Sequence, residues 1–216
     1  MKPRFEYASD QSLMIYLGDG VDIETHRRVL RLTRLIEDAP IPGVRNLHPA
    51  YCSMLVVFDP IELEHAELER ILQSYLNRLD EVELPEPRTV EIPVRYGSEN
   101  GPDLNDVAAL HNITPERVVE LHAAGSYIVY FLGFVPGFAY LGGLAEELAT
   151  PRLQTPRKRV PHGSVAIGGN HTGIYPFETP GGWRLIGKTP LDIFDPNRPE
   201  MSILRMGDIV RFRPIP

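Results

Sequence analysis

Cysteine is almost absent from this chain of 216 residues: there is one, Cys52, so no internal disulfide can form and nothing points to an oxidising compartment. It lies in the apolar run Cys52-Ser-Met-Leu-Val-Val-Phe58 and reads as a small core residue rather than a reactive thiol. Long hydrophobic runs are missing as well; no segment approaches the ~18 consecutive apolar residues of a membrane-spanning helix. The opening Met1-Lys-Pro-Arg-Phe-Glu6 has basic residues with no apolar stretch behind them, unlike a secretory signal, so the cytoplasm is the expected compartment. Net positive charge is lacking too, at a formal −7, which is poorly suited to general nucleic-acid binding. Neither internal repeats nor low-complexity tracts occur.

What is present is ordinary globular material. A hydrophobic fraction of 43% with 24% charged residues excludes disorder as the main state. The length allows one large domain or two small ones. Charge is unevenly spread: residues 1–88 hold 10 basic and 16 acidic side chains, residues 89–216 hold 12 and 13. Within 148–191 stand Arg152, Arg157, Lys158, Arg159, Arg184 and Lys188 against Glu178 alone. A small anionic ligand or an acidic partner surface fits that surplus, with a solvated basic loop as the plain alternative.

Residues 1–84 read as a compact α+β domain. Leu13–Leu17 alternates as a strand ending at Gly18-Asp-Gly20. From Ile23 a helix places Val29, Leu32, Leu35 and Ile36 on one face, stopped by Ala39-Pro-Ile-Pro-Gly43. Strands Val44–Leu47 and Met54–Phe58 follow, then a helix from about Ile61 to Leu79. The order strand-helix-strand-strand-helix predicts a sheet covered on one face. Glu83-Leu-Pro-Glu-Pro-Arg88 reads as a linker, and residues 85–216 as a second domain. In it Val90–Tyr96 is extended, Asp103 is a reasonable N-cap for a helix through His111, and Thr114-Pro115-Glu116 starts another ending near His122. His122 reads as a helix-end residue. Residues 133–187 then carry 11 of the 18 glycines between short apolar runs without helical period, which predicts a β-barrel or sandwich.

Several motifs invite chemistry. Gly182-Trp-Arg-Leu-Ile-Gly187-Lys188-Thr189 fits the phosphate-loop expression, but Pro180-Gly181 precedes it and Pro190 follows, so the required strand-loop-helix cannot form. Gly133-Phe-Val-Pro-Gly-Phe-Ala-Tyr-Leu-Gly-Gly143 offers Phe134, Phe138 and Tyr140 either as pocket walls or as inward packing. Thr155–Ser164 and Ile167–Pro176 supply three adjacent cations, His162, His171, hydroxyls and glycine-flanked amides. A metal site is not expected, because no Cys, Asp or Glu lies between the two histidines. There is no G-x-S-x-G elbow and no convincing nucleophile–base pair. A self-sufficient active site is not visible.

Gly101-Pro-Asp-Leu104, Phe131-Leu-Gly-Phe-Val-Pro-Gly-Phe-Ala-Tyr-Leu-Gly142, Thr150-Pro-Arg152, Val160-Pro-His-Gly-Ser-Val165, Thr172-Gly-Ile-Tyr-Pro176, Pro180-Gly-Gly-Trp-Arg-Leu-Ile-Gly187 and Met206-Gly-Asp-Ile-Val-Arg-Phe212 closely resemble the family of 5-oxoprolinase B subunits. That family was formerly labelled allophanate hydrolase subunit 1 and includes the sporulation-kinase inhibitor of bacilli. The sequence is also similar to the first half of the urea carboxylase carboxyltransferase domain. The resemblance implies an α+β N-terminal domain followed by a mainly-β, cyclophilin-like barrel. It implies A and C subunits as partners, a lactam substrate, and ATP with Mg as co-substrate in the assembled complex, the chain being inactive or nearly so alone. The implied reaction opens 5-oxo-L-proline to L-glutamate. Departures are His162 where the family usually has a small residue, His171 where it has Gln, and Ala139 where it has Pro.

Under that reading Arg157, Arg159, Arg184 and Lys188 are expected to hold an anionic substrate or phosphorylated intermediate. Tyr175 and His171 would orient the amide, and the Gly168-Gly169 amides would stabilise developing negative charge. Two other functions stay open: inhibition of sensor histidine kinase autophosphorylation, and a carboxyltransferase-type role in urea or allophanate metabolism.

Overall fold

Strands β1 (Arg4–Ser9) and β2 (Ser12–Tyr16) form a hairpin at the start of a computed structural model that describes residues 3–216. Helix α1 (Ile23–Asp38) starts where Asp22 accepts hydrogen bonds from the Thr25 amide (2.8 Å) and hydroxyl (2.7 Å), which satisfies donors the helix cannot pair internally. Strands β3 (Val44–Pro49) and β4 (Ser53–Phe58) and helix α2 (His65–Leu76) complete a unit ending at Glu86. The antiparallel sheet runs β1-β2-β4-β3. Its buried face (Leu13, Ile15, Met54, Val56, Phe58) packs on Val29, Leu32, Leu68 and Leu72 of the helices.

Two sequence expectations are corrected in this unit. Strand β1 is an additional edge strand; Arg4-Phe-Glu-Tyr-Ala-Ser9 is largely exposed, and its brief charged–aromatic alternation is not among the strands expected from sequence. Helix α2 begins at His65 rather than near Ile61. Asp59 accepts from the Ile61 amide through its side chain, and from the Glu62 and Leu63 amides through its carbonyl, which makes a turn there and leaves Ile61 94% exposed.

A second unit begins at Pro87. After β5 (Thr89–Tyr96) come a 3-10 turn (Ser98–Asn100), α3 (Leu104–His111) and α4 (Pro115–Ala124). Short strands follow: β6 (Tyr127–Leu132), β7 (Ala139–Gly142), β8 (Arg157–Val160), β9 (Ser164–Gly168), β10 (His171–Ile174), β11 (Thr179–Gly181), β12 (Arg184–Lys188) and β13 (Ile209–Pro214). Six of them close a barrel with β5 in the order β10-β7-β6-β13-β5-β12-β9, while β8 and β11 pair as a separate ribbon. All of β9 is buried because it serves two cores. Val165 and Ile167 join the main cluster with Ile92, Val94, Val129 and Ile186, and Ala166 joins a smaller one with Phe138, Tyr175 and Trp183.

Inside the main core sits His122, from the last turn of α4 and fully buried. Its ring stacks on Phe212 at 4.5 Å. Thr172 Oγ1 donates to the Ala166 carbonyl, so it accepts from His122 Nε2 (2.8 Å), and Nδ1 accepts from the Tyr96 hydroxyl (2.8 Å). Burial pushes the imidazole pKa down to about 3, which keeps this neutral tautomer.

Gly101 marks the crossing of the β5–α3 loop over β12. A Cβ there would lie 2.1 Å from the Ile186 carbonyl oxygen, which is backbone and cannot swing aside. Gly101→Ala is therefore expected to destabilise this unit by ~3 kcal/mol. The fluorescence of Trp183, the only tryptophan, reads that loss in urea because the residue lies in this unit alone.

Candidate anion-binding site

Arg157 and Arg159 alternate along β8 and so project to one side of the ribbon. Lys188 ends β12 opposite Ser164, the first residue of β9. These four side chains, with Glu99 and Asn100, line a cavity of about 360 Å³. A second cavity of about 310 Å³ shares Asn100 and Lys188 and adds Arg95, His162 and Thr189. Glu99 and Asn100 come from the β5–α3 loop, where Gly97 and Ser98 have φ of 69° and 49°. That loop is bolted to β12 by the Gly97 amide on the Ile186 carbonyl (3.0 Å) and the Asp103 amide on the Leu185 carbonyl (2.9 Å).

The cations of this site differ in their partners. Arg157 pairs with buried Asp103 at 2.6 Å, whereas Arg159 meets Glu178 at 3.5 Å in solvent. Lys188 lines both cavities and forms no ion pair among the described residues. His162 faces Asp192 at 3.1 Å. Of Arg157, Arg159 and Lys188, the last thus keeps the most uncompensated charge, and the cavity suits a carboxylate or phosphate.

Other residues expected here lie elsewhere. Arg184 does not line either cavity; it donates to the Pro151 carbonyl (3.4 Å) and pairs with Asp106 (3.7 Å). Tyr175 and Phe138 are buried in the smaller core with rings 5.1 Å apart. Burial raises the Tyr175 pKa, against the lowering effect of the Trp183 backbone and of the Arg152 and Arg157 charges. His171 lies near Arg152, whose guanidinium sits over the Trp183 ring at 5.7 Å. Its pKa is lowered, by burial first and by Arg152 second. Tyr175 thus lies within electrostatic reach of both Arg152 and Arg157.

Gly168 leaves room for Trp183, since a Cβ would fall 2.5 Å from its ring, and the Gly169 amide is spent on the Thr150 carbonyl at 2.7 Å. Phe134 is 59% exposed at φ 70°, a strained setting for an aromatic residue, and meets Phe138 edge-on. The sequence did not mark Glu99 and Arg95 as site neighbours, Asp103 read there only as a helix cap, and Arg152 was counted in the cationic stretch without a site role. For Glu99 a signal existed in the flanking Gly97 and Gly101; for Asp103 there was none, because a capping role accounted for it. Among the described residues no group of three or more His, Cys, Asp or Glu is placed to hold a metal ion, and no helix is long and apolar enough to cross a membrane.

A family model described as "Carboxyltransferase domain, subdomain C and D" matches residues 3–204, which include every residue that lines the cavities. The B subunit of the Haemophilus influenzae 5-oxoprolinase is 56% identical over 211 residues, covering 94% of this chain and 94% of that protein. The crystal structure of TTHA0988 matches with a TM-score of 0.84 at 39% identity, over 95% of this chain and 40% of that one. Urea amidolyase of K. lactis, at 20% identity, shares the fold with a TM-score of 0.80 over 99% of this chain and 15% of its own. With both the family model and a majority-identical relative spanning nearly its whole length, the chain belongs to the carboxyltransferase subdomain C and D family, in the branch of the 5-oxoprolinase B subunits.

Proposed function

We propose that the chain is the B subunit of a heteromeric, ATP-dependent 5-oxoprolinase that opens 5-oxo-L-proline to L-glutamate together with A and C subunits. The names of its relatives support this reading, and one structural observation carries it: Arg157, Arg159 and Lys188 line a single cavity. The substrate carries one carboxylate, and activation of its amide oxygen by ATP adds a phosphoryl group. A site for both must neutralise charge at two points. The paired cavities meeting at Lys188 supply cations for that.

In chemical terms, one water opens the activated ring to an acyl phosphate and frees the amine, and a second water releases phosphate. Arg157 and Lys188 bind and orient the anionic groups. Glu99, the one acidic residue on the first cavity's wall, takes a proton from attacking water. His162 lies on the second cavity's wall and there shapes which lactam fits. ATP enters with its Mg²⁺ as co-substrate of the assembled complex.

Co-expression with candidate A and C subunits tests the assignment through glutamate release from 5-oxoproline, with one component omitted at a time. Release is expected only when all three subunits and ATP are present. Release by A and C alone at the full rate would overturn it.

A further inference from the structure

Asp103 stands immediately before α3, where a carboxylate normally caps the helix, yet its side chain makes no capping bond. Instead one oxygen accepts from Arg157 Nη2 at 2.6 Å and the other from the Leu185 amide at 2.7 Å. The residue is only 4% exposed, so its charge is stabilised by these two distant partners rather than by water. Arg157 is thereby gripped through one nitrogen, while its Nη1 is buried and has no hydrogen-bond partner among the described residues. Arg159, two residues along the same strand, has a side chain 82% exposed and a loose contact with Glu178. Two arginines share one wall, and one of them is fixed.

We propose that Asp103 is a positioning residue: it pre-organises Arg157 as a fixed anion-binding group on the cavity wall, beside the unpaired charge of Lys188. The inference rests on the reading that this cavity binds the anionic substrate. A fixed fork loses little freedom when a carboxylate or phosphate docks, whereas Arg159 must be ordered by the ligand. The geometry also ties α3 and β12 to the binding group, since Asp103 joins both.

The test uses the assembled three-subunit enzyme and compares Asp103→Asn, Arg157→Ala and the double variant for KM and kcat with 5-oxoproline. Each single change is expected to raise KM about 10-fold with kcat within about 3-fold, and the double variant to be no worse than Arg157→Ala alone. A structural role for Asp103 would lower the yield of active complex and the melting temperature but leave KM in place. If Arg157→Ala raises KM and Asp103→Asn does not, the positioning role is overturned while the cavity assignment stands. If neither raises KM, the cavity assignment falls first. Should Asp103→Asn fail to fold, Arg157→Lys decides, because it keeps the charge and loses the fork. A KM rise near that of Arg157→Ala supports the inference, and a wild-type KM overturns it.

Discussion

Replacing Lys188 with alanine is expected to lower kcat/KM for 5-oxoproline about 10²-fold in the assembled enzyme. Lys188 is set apart by its partners rather than by its position. Arg157 and Arg159 each meet a carboxylate, and Arg184 lies outside the cavities next to Asp106. Lys188 forms no ion pair among the described residues and touches both cavities, so its field reaches a ligand least diminished. A ligand that gains charge during reaction then loses its main counter-charge when Lys188 is cut back. A lysine-to-arginine change should recover part of the rate, because charge is kept while the ammonium's compact shape is not. Single-turnover kinetics with saturating ATP separates binding from chemistry. A fall of less than about 3-fold would remove Lys188 from the site.

His122→Ala should destabilise the second unit by ~3–4 kcal/mol at pH 7.5, since it opens a hole and leaves the Tyr96 hydroxyl and Thr172 without their partner. The wild-type protein carries a linked pH effect. With a folded pKa of about 3 against roughly 6.5 unfolded, the unfolded chain binds the extra proton between those values. Stability from this group is complete above pH 6.5, declines as pH falls, and is fully lost below about pH 3. At pH 5 the loss is about 2 kcal/mol. Urea unfolding followed by Trp183 at pH 7.5 and 5.0 checks both points. His122→Gln, which still reaches Thr172, should show a visibly shallower acid loss than wild type. Identical slopes would show that the imidazole is not held neutral.

The strands and helices were largely legible because their apolar spacing is local. The α1 stripe at Val29, Leu32, Leu35 and Ile36 is buried as its period predicts, and the glycine-punctuated stretch supplies the short strands of a closed barrel. The site was legible only in outline. A window over 148–191 counts six cations against one acid, but Asp103 and Asp106, far upstream, cancel much of that surplus at Arg157 and Arg184. Sequence distance hides such pairing. Tyr175 was expected to orient the substrate amide; it is core because the β8–β11 ribbon and Trp183 enclose it, so its chemistry cannot be inferred from residue type. His122, expected at a helix end, occupies one, but that end points into the barrel.

The parallel partner of β5 is β13, which lies about 120 residues downstream, with Thr89 opposite Ile209. During synthesis, β5 and the neighbouring margin of β6 must wait, with backbone donors and acceptors open, until that late segment leaves the ribosome. Premature termination before Ile209 would thus yield an open six-stranded sheet with two sticky borders rather than a closed barrel. Such a product belongs with chaperones or in inclusion bodies, and slow maturation of this half of the molecule, waiting on β13, is the corollary of how its sheet is stitched shut.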